Sequence, residues 1–313
     1  MSLFALRAGA FALAACLPAA SLAAEALTGT YALPDGRPKV TATLIAAPGR
    51  NGAKALDITM TETGQQHPIT KYETELSKQL HLIAVSSDFR TFVHEHGDRP
   101  GSDGHFRIAM RLPHPGLYHV YADGVLAGLG QQVMRFELDV GDAPAQQQPS
   151  PPAPTPLEAA DGRYAIRFDP FTLRAGQESQ LSLHLSRDGR PAPDITLFLG
   201  VAAHAVFIGA ADLTYVHVHA APAVAPKAGG TGAPMQHDLT GRPGGEPPEH
   251  HGTAEVSMSG MDGMSGGPLP SGAWVPPDLS LYVLAPEAGT YLIWLQFMAG
   301  GQVRTVPFVV AVA

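Results

Sequence analysis

An internal duplication constrains the fold of this chain more than any other feature of its sequence. His81 and His94 are 13 residues apart, and so are His204 and His217; in each copy another histidine follows two residues later, in VHEH and VHVH. Downstream, LPHPGLYHVY in the first copy matches APEAGTYLIW in the second. Two copies of one unit in a chain of 313 residues predict two similar domains in tandem.

Short segments of alternating apolar and polar residues fill both copies. Examples are KALDITMTE and FRIAMRL in the first copy and ESQLSLHLS and LSLYVLA in the second, with Gly, Pro and Asp between the segments. Alternation with a period of two residues is typical of antiparallel strands that bury one face. Six or seven such strands in about 110 residues match the size of an immunoglobulin-like sandwich. The sequence therefore predicts an all-β protein made of two tandem immunoglobulin-like β-sandwich domains.

A change in composition gives the expected domain boundaries. The segment 142–158, DAPAQQQPSPPAPTPLE, is rich in Pro, Gln and Ala, which is typical of an extended linker. We therefore expect domain 1 at 25–141 and domain 2 at 159–313.

The N-terminal residues 1–24 predict export from the cytoplasm. Arg7 is followed by an apolar run and by small residues that end in SLA at Ala23, as in a cleaved signal peptide. The mature protein is then periplasmic or secreted. In the alternative interpretation, LAAC is a lipobox and Cys16 carries a lipid anchor. No other apolar run is long enough to cross a bilayer.

Charge and cysteine content exclude several functions. The formal net charge of −8 speaks against nucleic acid as a partner, because binding it requires a clustered basic surface. Cys16 is the only cysteine, so a metal site in the mature chain must use His, Met, carboxylate or backbone groups.

Three histidines in each copy are candidate metal ligands. On a strand, residues i and i+2 point to the same face, and a neighbouring strand can bring the third imidazole alongside. Neutral imidazole suits copper, and also zinc. The alternative is that these are hydrogen-bonded structural histidines. The predicted ligands are His81, His94 and His96, and His204, His217 and His219. His119, matched by Leu292, is a further candidate in the first copy only.

An insertion in domain 2, at about 220–273, carries a second set of candidate ligands. His96 and Tyr118 are 22 residues apart, whereas the matching His219 and Tyr291 are 72 apart. The Gly, Pro and Ser content of the insertion predicts a mobile loop or a low-complexity linker. Thioethers select Cu(I), and imidazole accepts either oxidation state of copper. The predicted ligands are Met235, His237, His250, His251, Met258, Met261 and Met264.

The stretches HLIAVSSDFRTFVHEH and GRPAPDITLFLGVAAHAVFIGAADLTYVHVH resemble bacterial exported immunoglobulin-like domains of the YtkA-like and FixH-like type. Such domains are often associated with copper or other heavy-metal handling. The resemblance implies that the family positions of this chain are His81, Asp88, His94, His96, His204, Asp212, His217 and His219.

Together these features favour a non-enzymatic periplasmic copper-binding protein for tolerance or delivery. Its partners are then the metal ion and other periplasmic copper-handling proteins. One alternative is a copper redox enzyme resembling superoxide dismutase, although neither copy shows the four copper histidines and the zinc-linked ligands of that enzyme. The other alternative is a structural module with incidental histidines. Hydrolysis is a weaker interpretation, because no strand–turn–helix elbow of the G-x-S-x-G type and no H-E-x-x-H helix is apparent in the sequence.

Overall fold

The computed structural model describes residues 24–33, 38–141, 152–223 and 272–313. These residues form nineteen β-strands and one turn of 3-10 helix, Arg50–Gly52, with no α-helix among them. No helix in these ranges is long and apolar enough to span a bilayer. The predicted signal peptide up to residue 23, most of the predicted linker and most of the predicted insertion lie outside the described residues.

Domain 1 is a sandwich of two antiparallel sheets. One sheet has the strand order β1-β3-β4-β7 and the other has the order β2-β9-β8-β5-β6. Their facing sides enclose an apolar core that includes Leu44, Ile58, Leu82 and Phe136. The strands are β1 (Glu25–Thr28), β2 (Thr30–Tyr31), β3 (Val40–Pro48), β4 (Lys54–Glu62), β5 (Leu80–Ser86), β6 (Phe92–Gly97), β7 (Phe106–Met110), β8 (Gly116–Leu126) and β9 (Gly130–Val140).

Domain 2 repeats this arrangement with one difference. Its strands are β10 (Glu158–Asp161), β11 (Tyr164–Phe168), β12 (Glu178–Arg187), β13 (Arg190–Pro191), β14 (Ile195–Thr196), β15 (Ala203–Gly209), β16 (Tyr215–Pro222), β17 (Asp278–Leu284), β18 (Gly289–Ala299) and β19 (Gln302–Val312). Most of β16 pairs with β15, but Ala221 and Pro222 pair with β17 in the other layer. Strand β16 therefore joins the two layers of domain 2 through continuous strand pairing. The prediction of two tandem all-β sandwiches is confirmed.

The two domains pack against each other through the outer faces of two sheets. An apolar cluster joins Ile83 and Tyr121 of domain 1 to Val206 and Trp294 of domain 2. Every residue of β5 and of β15 is buried. One face of each strand lies in the core of its own domain, and the other lies against the partner domain. Burial on both faces explains why LHLIAVS and AHAVFIG are nearly continuous apolar runs, interrupted by a histidine in each.

Two stacked aromatic pairs show that this interface is pseudo-symmetric. Phe92 stacks on Trp294 with ring centroids 5.1 Å apart, and Tyr121 stacks on Tyr215 at 5.0 Å. In the duplication, Phe92 matches Tyr215 and Tyr121 matches Trp294. The two pairs are therefore related by a pseudo-two-fold axis that runs through the interface. Residues near this axis in one domain contact their counterparts in the other.

Candidate metal centre

Strand pairing places the three histidines of each copy in the same register. In domain 1, His81 on β5 lies opposite His96 on β6. In domain 2, His204 on β15 lies opposite His219 on β16. The remaining histidine of each H-x-H pair shares the face of its partner, because strand side chains alternate. In both domains this face is the one turned toward the other domain.

The histidines of domain 1 converge as the sequence predicts. His81 Nδ1 lies 3.2 Å from His94 Nε2. The ring of His96 lies 5.0 Å from that of His81 and 4.2 Å from that of His94, between centroids. One ligand nitrogen from each of the three histidines lies within 4.8 Å of the other two, which is close enough for one metal ion to bind all three.

The histidines of domain 2 form the matching arrangement. His204 Nδ1 lies 3.3 Å from His217 Nε2, and the ring of His219 lies 4.8 Å from each of those two rings. In this second group, one nitrogen of His204 and one of His217 lie within 4.8 Å of each other and of a nitrogen of His81, which belongs to domain 1. His219 is not part of this group. Because His81 belongs to both groups, the two sets of histidines are parts of one cluster that spans the domain interface.

Each H-x-H pair is oriented by a residue of the opposite domain. His94 Nδ1 donates to Gln296 Oε1 at 2.8 Å, since the Gln296 amide nitrogen is itself a donor to Thr305 Oγ1. His217 Nδ1 donates to Asp123 Oδ2 at 3.3 Å. With Nδ1 protonated, the lone pair of each imidazole lies on Nε2, which points into the cluster.

The buried carboxylate of Asp123 is held by two further donors. Tyr215 Oη donates to Oδ2 at 3.0 Å, and Gln131 Nε2 donates to Oδ1 at 2.9 Å. Asp123 is fully buried, and the side chain of His217 is 2% exposed. This negative charge, placed beside the imidazoles, favours a cation in the cluster.

Burial favours the neutral imidazole in five histidines of the cluster. Desolvation lowers the pKa of His81 and of His94 to about 4 each, and that of His96 to about 2. Desolvation and the neighbouring imidazoles hold the pKa values of His204 and His217 well below the usual range. Neutral imidazole is the form that binds metal, so at neutral pH no proton has to leave first.

Comparison with known families gives the chain a family but no activity. The family model described as "Domain of unknown function (DUF8832)" matches residues 35–141 and 158–313. The chain belongs to the DUF8832 family. Each matched segment of this DUF8832 chain contains one set of three histidines. No curated protein matches the chain.

The aspartates that the resemblance singles out lie in turns of the DUF8832 chain. Asp88 Oδ1 accepts from Ser86 Oγ at 2.6 Å and from the backbone N–H of Arg90 at 3.1 Å. Asp212 Oδ1 accepts from the backbone N–H of Thr214 at 3.0 Å. Both carboxylates close the turn between the two histidine strands, which is a structural role. The metal-centre groups within the described ranges contain neither aspartate.

His119 lies apart from the cluster. It is on the same face of β8 as Asp123, but four residues away, which is about 13 Å along a strand. Its side chain is buried, and its Nδ1 has no hydrogen-bond partner in the described structure. The seven ligands predicted in the insertion, Met235, His237, His250, His251, Met258, Met261 and Met264, lie outside the described residues.

Sequence reasoning missed the residues that orient the histidines across the interface. Asp123 and Gln296 occupy matching positions in the duplication, each two residues after an interface aromatic residue. They also lie opposite His81 and His204 in the strand register. A polar residue at the same position of both copies, in strands that are mostly apolar, is the signal that could have identified them.

Proposed function

We propose that this DUF8832 protein is an exported, non-enzymatic copper-binding protein that holds copper between its two domains for tolerance or delivery. The described histidines can hold a metal ion. That the ion is copper, that the protein acts in the periplasm and that it exchanges copper with other proteins there are parts of this proposal.

One observation carries the proposal. His204 Nε2 donates to the backbone carbonyl of Phe198 at 3.2 Å, and His217 Nδ1 donates to Asp123. Each neutral ring has one N–H, so the remaining nitrogens, His204 Nδ1 and His217 Nε2, both carry bare lone pairs. These two lone pairs lie 3.3 Å apart in a buried site, where they repel each other unless a cation lies between them.

Ligand chemistry and charge favour copper as this cation. The donors are imidazoles, which suit copper and zinc, and the mature chain offers no thiolate. Asp123 places one negative charge against the cluster, which balances Cu(I) but leaves a buried positive charge with Zn²⁺ or Cu(II). The methionines predicted as ligands in the insertion have the softness that Cu(I) prefers.

Burial of the cluster favours a protein that holds a metal ion over one that uses the ion for catalysis. The histidine side chains lie between two packed sheets, with His81 and His204 each 1% exposed. A redox enzyme of the superoxide dismutase type needs an open coordination position that its substrate can reach. The signal-like N-terminus and the resemblance to exported YtkA-like and FixH-like domains support a periplasmic place of action.

The test is a copper titration of metal-free protein covering residues 25–313. Cu(I), under reducing conditions with a competing chelator, and separately Cu(II) and Zn²⁺, are titrated into the wild type and two double variants. The variants are His94→Gln/His96→Gln and His217→Gln/His219→Gln, and the control is His67→Gln, at an exposed position. Circular dichroism checks that each variant folds.

We expect copper binding that survives the control substitution, with the site between the domains weakened at least 100-fold in both double variants. Tighter binding of Zn²⁺ than of either copper ion would contradict the choice of copper. Equal copper binding by the wild type and both double variants would overturn the proposal and favour structural histidines.

A further inference from the structure

Four of the six histidines form a compact group with two members from each domain. They are His81 and His94 of domain 1 and His204 and His217 of domain 2. Their ring centroids are 5.5 Å apart for His81–His94, 5.5 Å for His204–His217, 6.0 Å for His81–His204, 4.9 Å for His81–His217, 5.7 Å for His94–His204 and 5.6 Å for His94–His217. Six nearly equal distances among four points describe a tetrahedron.

The size of this tetrahedron suits one metal ion. With metal–nitrogen bonds of about 2.0 Å, tetrahedral ligand nitrogens lie about 3.3 Å apart and their ring centroids about 5 Å apart. The two nitrogen pairs within the domains already meet this requirement, at 3.2 Å for His81 Nδ1 and His94 Nε2 and 3.3 Å for His204 Nδ1 and His217 Nε2. Across the interface, the His81 and His217 centroids already lie at the expected separation, 4.9 Å, and the other three pairs are wider, at 5.6–6.0 Å. A small approach of the domains completes the geometry.

We propose that the protein binds one ion in a four-histidine site shared by the domains, through Nδ1 of His81 and His204 and Nε2 of His94 and His217. The ion lies on the pseudo-two-fold axis of the interface. The proposal rests on the proposed function for the presence of copper and adds the ligands, the stoichiometry and the coupling of the two domains.

The outward nitrogens support these four ligands. Nδ1 of His94 and of His217 and Nε2 of His204 are hydrogen-bonded to Gln296, Asp123 and the Phe198 carbonyl. Such bonds fix the ring and direct the other nitrogen at the ion. His81 is common to both groups of converging histidines, as expected of a residue at the centre of one site.

His96 and His219 then take the outer positions on the two H-x-H strands. His96 also lines a surface cleft at the edge of domain 1, with Asp98, Arg99 and Arg107. His96→Gln and His219→Gln are therefore the matched controls, because each lies on the same strand as a proposed ligand and two residues after it.

The experiment uses the full mature chain with the insertion methionines replaced by Leu and its histidines by Gln, so that only the interface can bind. Copper per chain is counted by native mass spectrometry, and the coordination is measured by X-ray absorption. His94→Gln and His204→Gln, one in each domain, are compared with His96→Gln and His219→Gln. Circular dichroism again verifies folding.

The expected result is one copper ion per chain with about four nitrogen ligands near 2.0 Å. Either ligand substitution should weaken binding at least 100-fold, and either control substitution less than tenfold. Two ions per chain, one removed by each ligand substitution, would overturn the shared site while leaving copper binding intact. Retention of the ion in His204→Gln with its loss in His96→Gln would overturn it in favour of a site within domain 1. A parent chain, with its own insertion, that binds no copper would instead overturn the proposed function.

Discussion

His217 Nδ1 in domain 2 lies 3.3 Å from Asp123 Oδ2 in domain 1, and His94 Nδ1 in domain 1 lies 2.8 Å from Gln296 Oε1 in domain 2. Asp123 and Gln296 are counterparts in the duplication. Each domain thus orients a histidine of the other, but only one of the two orienting residues is charged. This asymmetry places one negative charge beside the centre, on the side of His217.

Asp123→Asn should therefore weaken copper binding while the fold is kept. Asn has nearly the same shape and can still accept from His217 and Tyr215, but it removes the negative charge beside the ion. Loss of an outer partner of this kind costs about 10-fold to 100-fold in metal affinity. Chelator competition with the metal-free variant measures the change.

Gln296→Glu is the matched substitution on the other side of the pseudo-two-fold axis. It adds a carboxylate at the position equivalent to Asp123 and should raise copper affinity. If both substitutions left the affinity unchanged, the charge of the partner residue would have no part in holding the ion.

Acid should destabilise the metal-free protein. The folded-state pKa values of His81 and His94 are about 4, below the ordinary value of 6.5 that they regain on unfolding. Between these values the unfolded chain binds more protons, so the free energy of unfolding falls as the pH falls. The loss is on the order of 1 kcal/mol per pH unit for each such histidine. The stabilising contribution is fully present above about pH 6.5 and is lost as the pH approaches 4.

Urea denaturation at pH 7.5, 6.0 and 5.0 measures this slope. His94→Gln/His217→Gln removes two of the buried titrating groups and should flatten it, whereas His67→Gln, at an exposed position, should leave it as in the wild type. An unfolding free energy that is constant from pH 7.5 to 5.0 would contradict the prediction, because it would show that the folded and unfolded chains take up the same number of protons over this range.

The sequence predicts the local parts of the centre well because they depend on strand geometry. Alternation places His94 and His96 on one face, and the repeated spacing of 13 residues places His81 beside them. The meeting of the two sets depends on how the domains dock, which strand periodicity does not encode. Gln296 is 202 residues from His94, so no local pattern joins them. The apolar run around His81 does indicate a strand buried on both faces, and that is the sequence signal of the interface.

Asp88 and Asp212 should matter for stability and not for copper. Each carboxylate accepts a backbone N–H two residues ahead in the turn between the histidine strands. Asp88→Ala or Asp212→Ala should therefore lower the free energy of unfolding by about 1 kcal/mol. Copper per chain should stay the same in both variants, which native mass spectrometry measures. Loss of copper from folded Asp88→Ala would instead give the aspartate a direct part in metal binding.

His119→Leu should stabilise the protein. Its Nδ1 is buried and has no partner in the described structure, and an unsatisfied buried polar atom costs about 1–3 kcal/mol. The counterpart, Leu292, is buried and packs in the domain interface, so Leu suits this environment. We expect the free energy of unfolding to rise by about 1 kcal/mol in urea denaturation of metal-free protein. The reciprocal Leu292→His should lower it, because it creates a second unsatisfied imidazole.

Copper affinity should not change in His119→Leu, since residue 119 lies about 13 Å along β8 from the centre. A loss of copper from the folded variant would place His119 among the ligands and contradict the assignment of the centre to the β5–β6 and β15–β16 histidines.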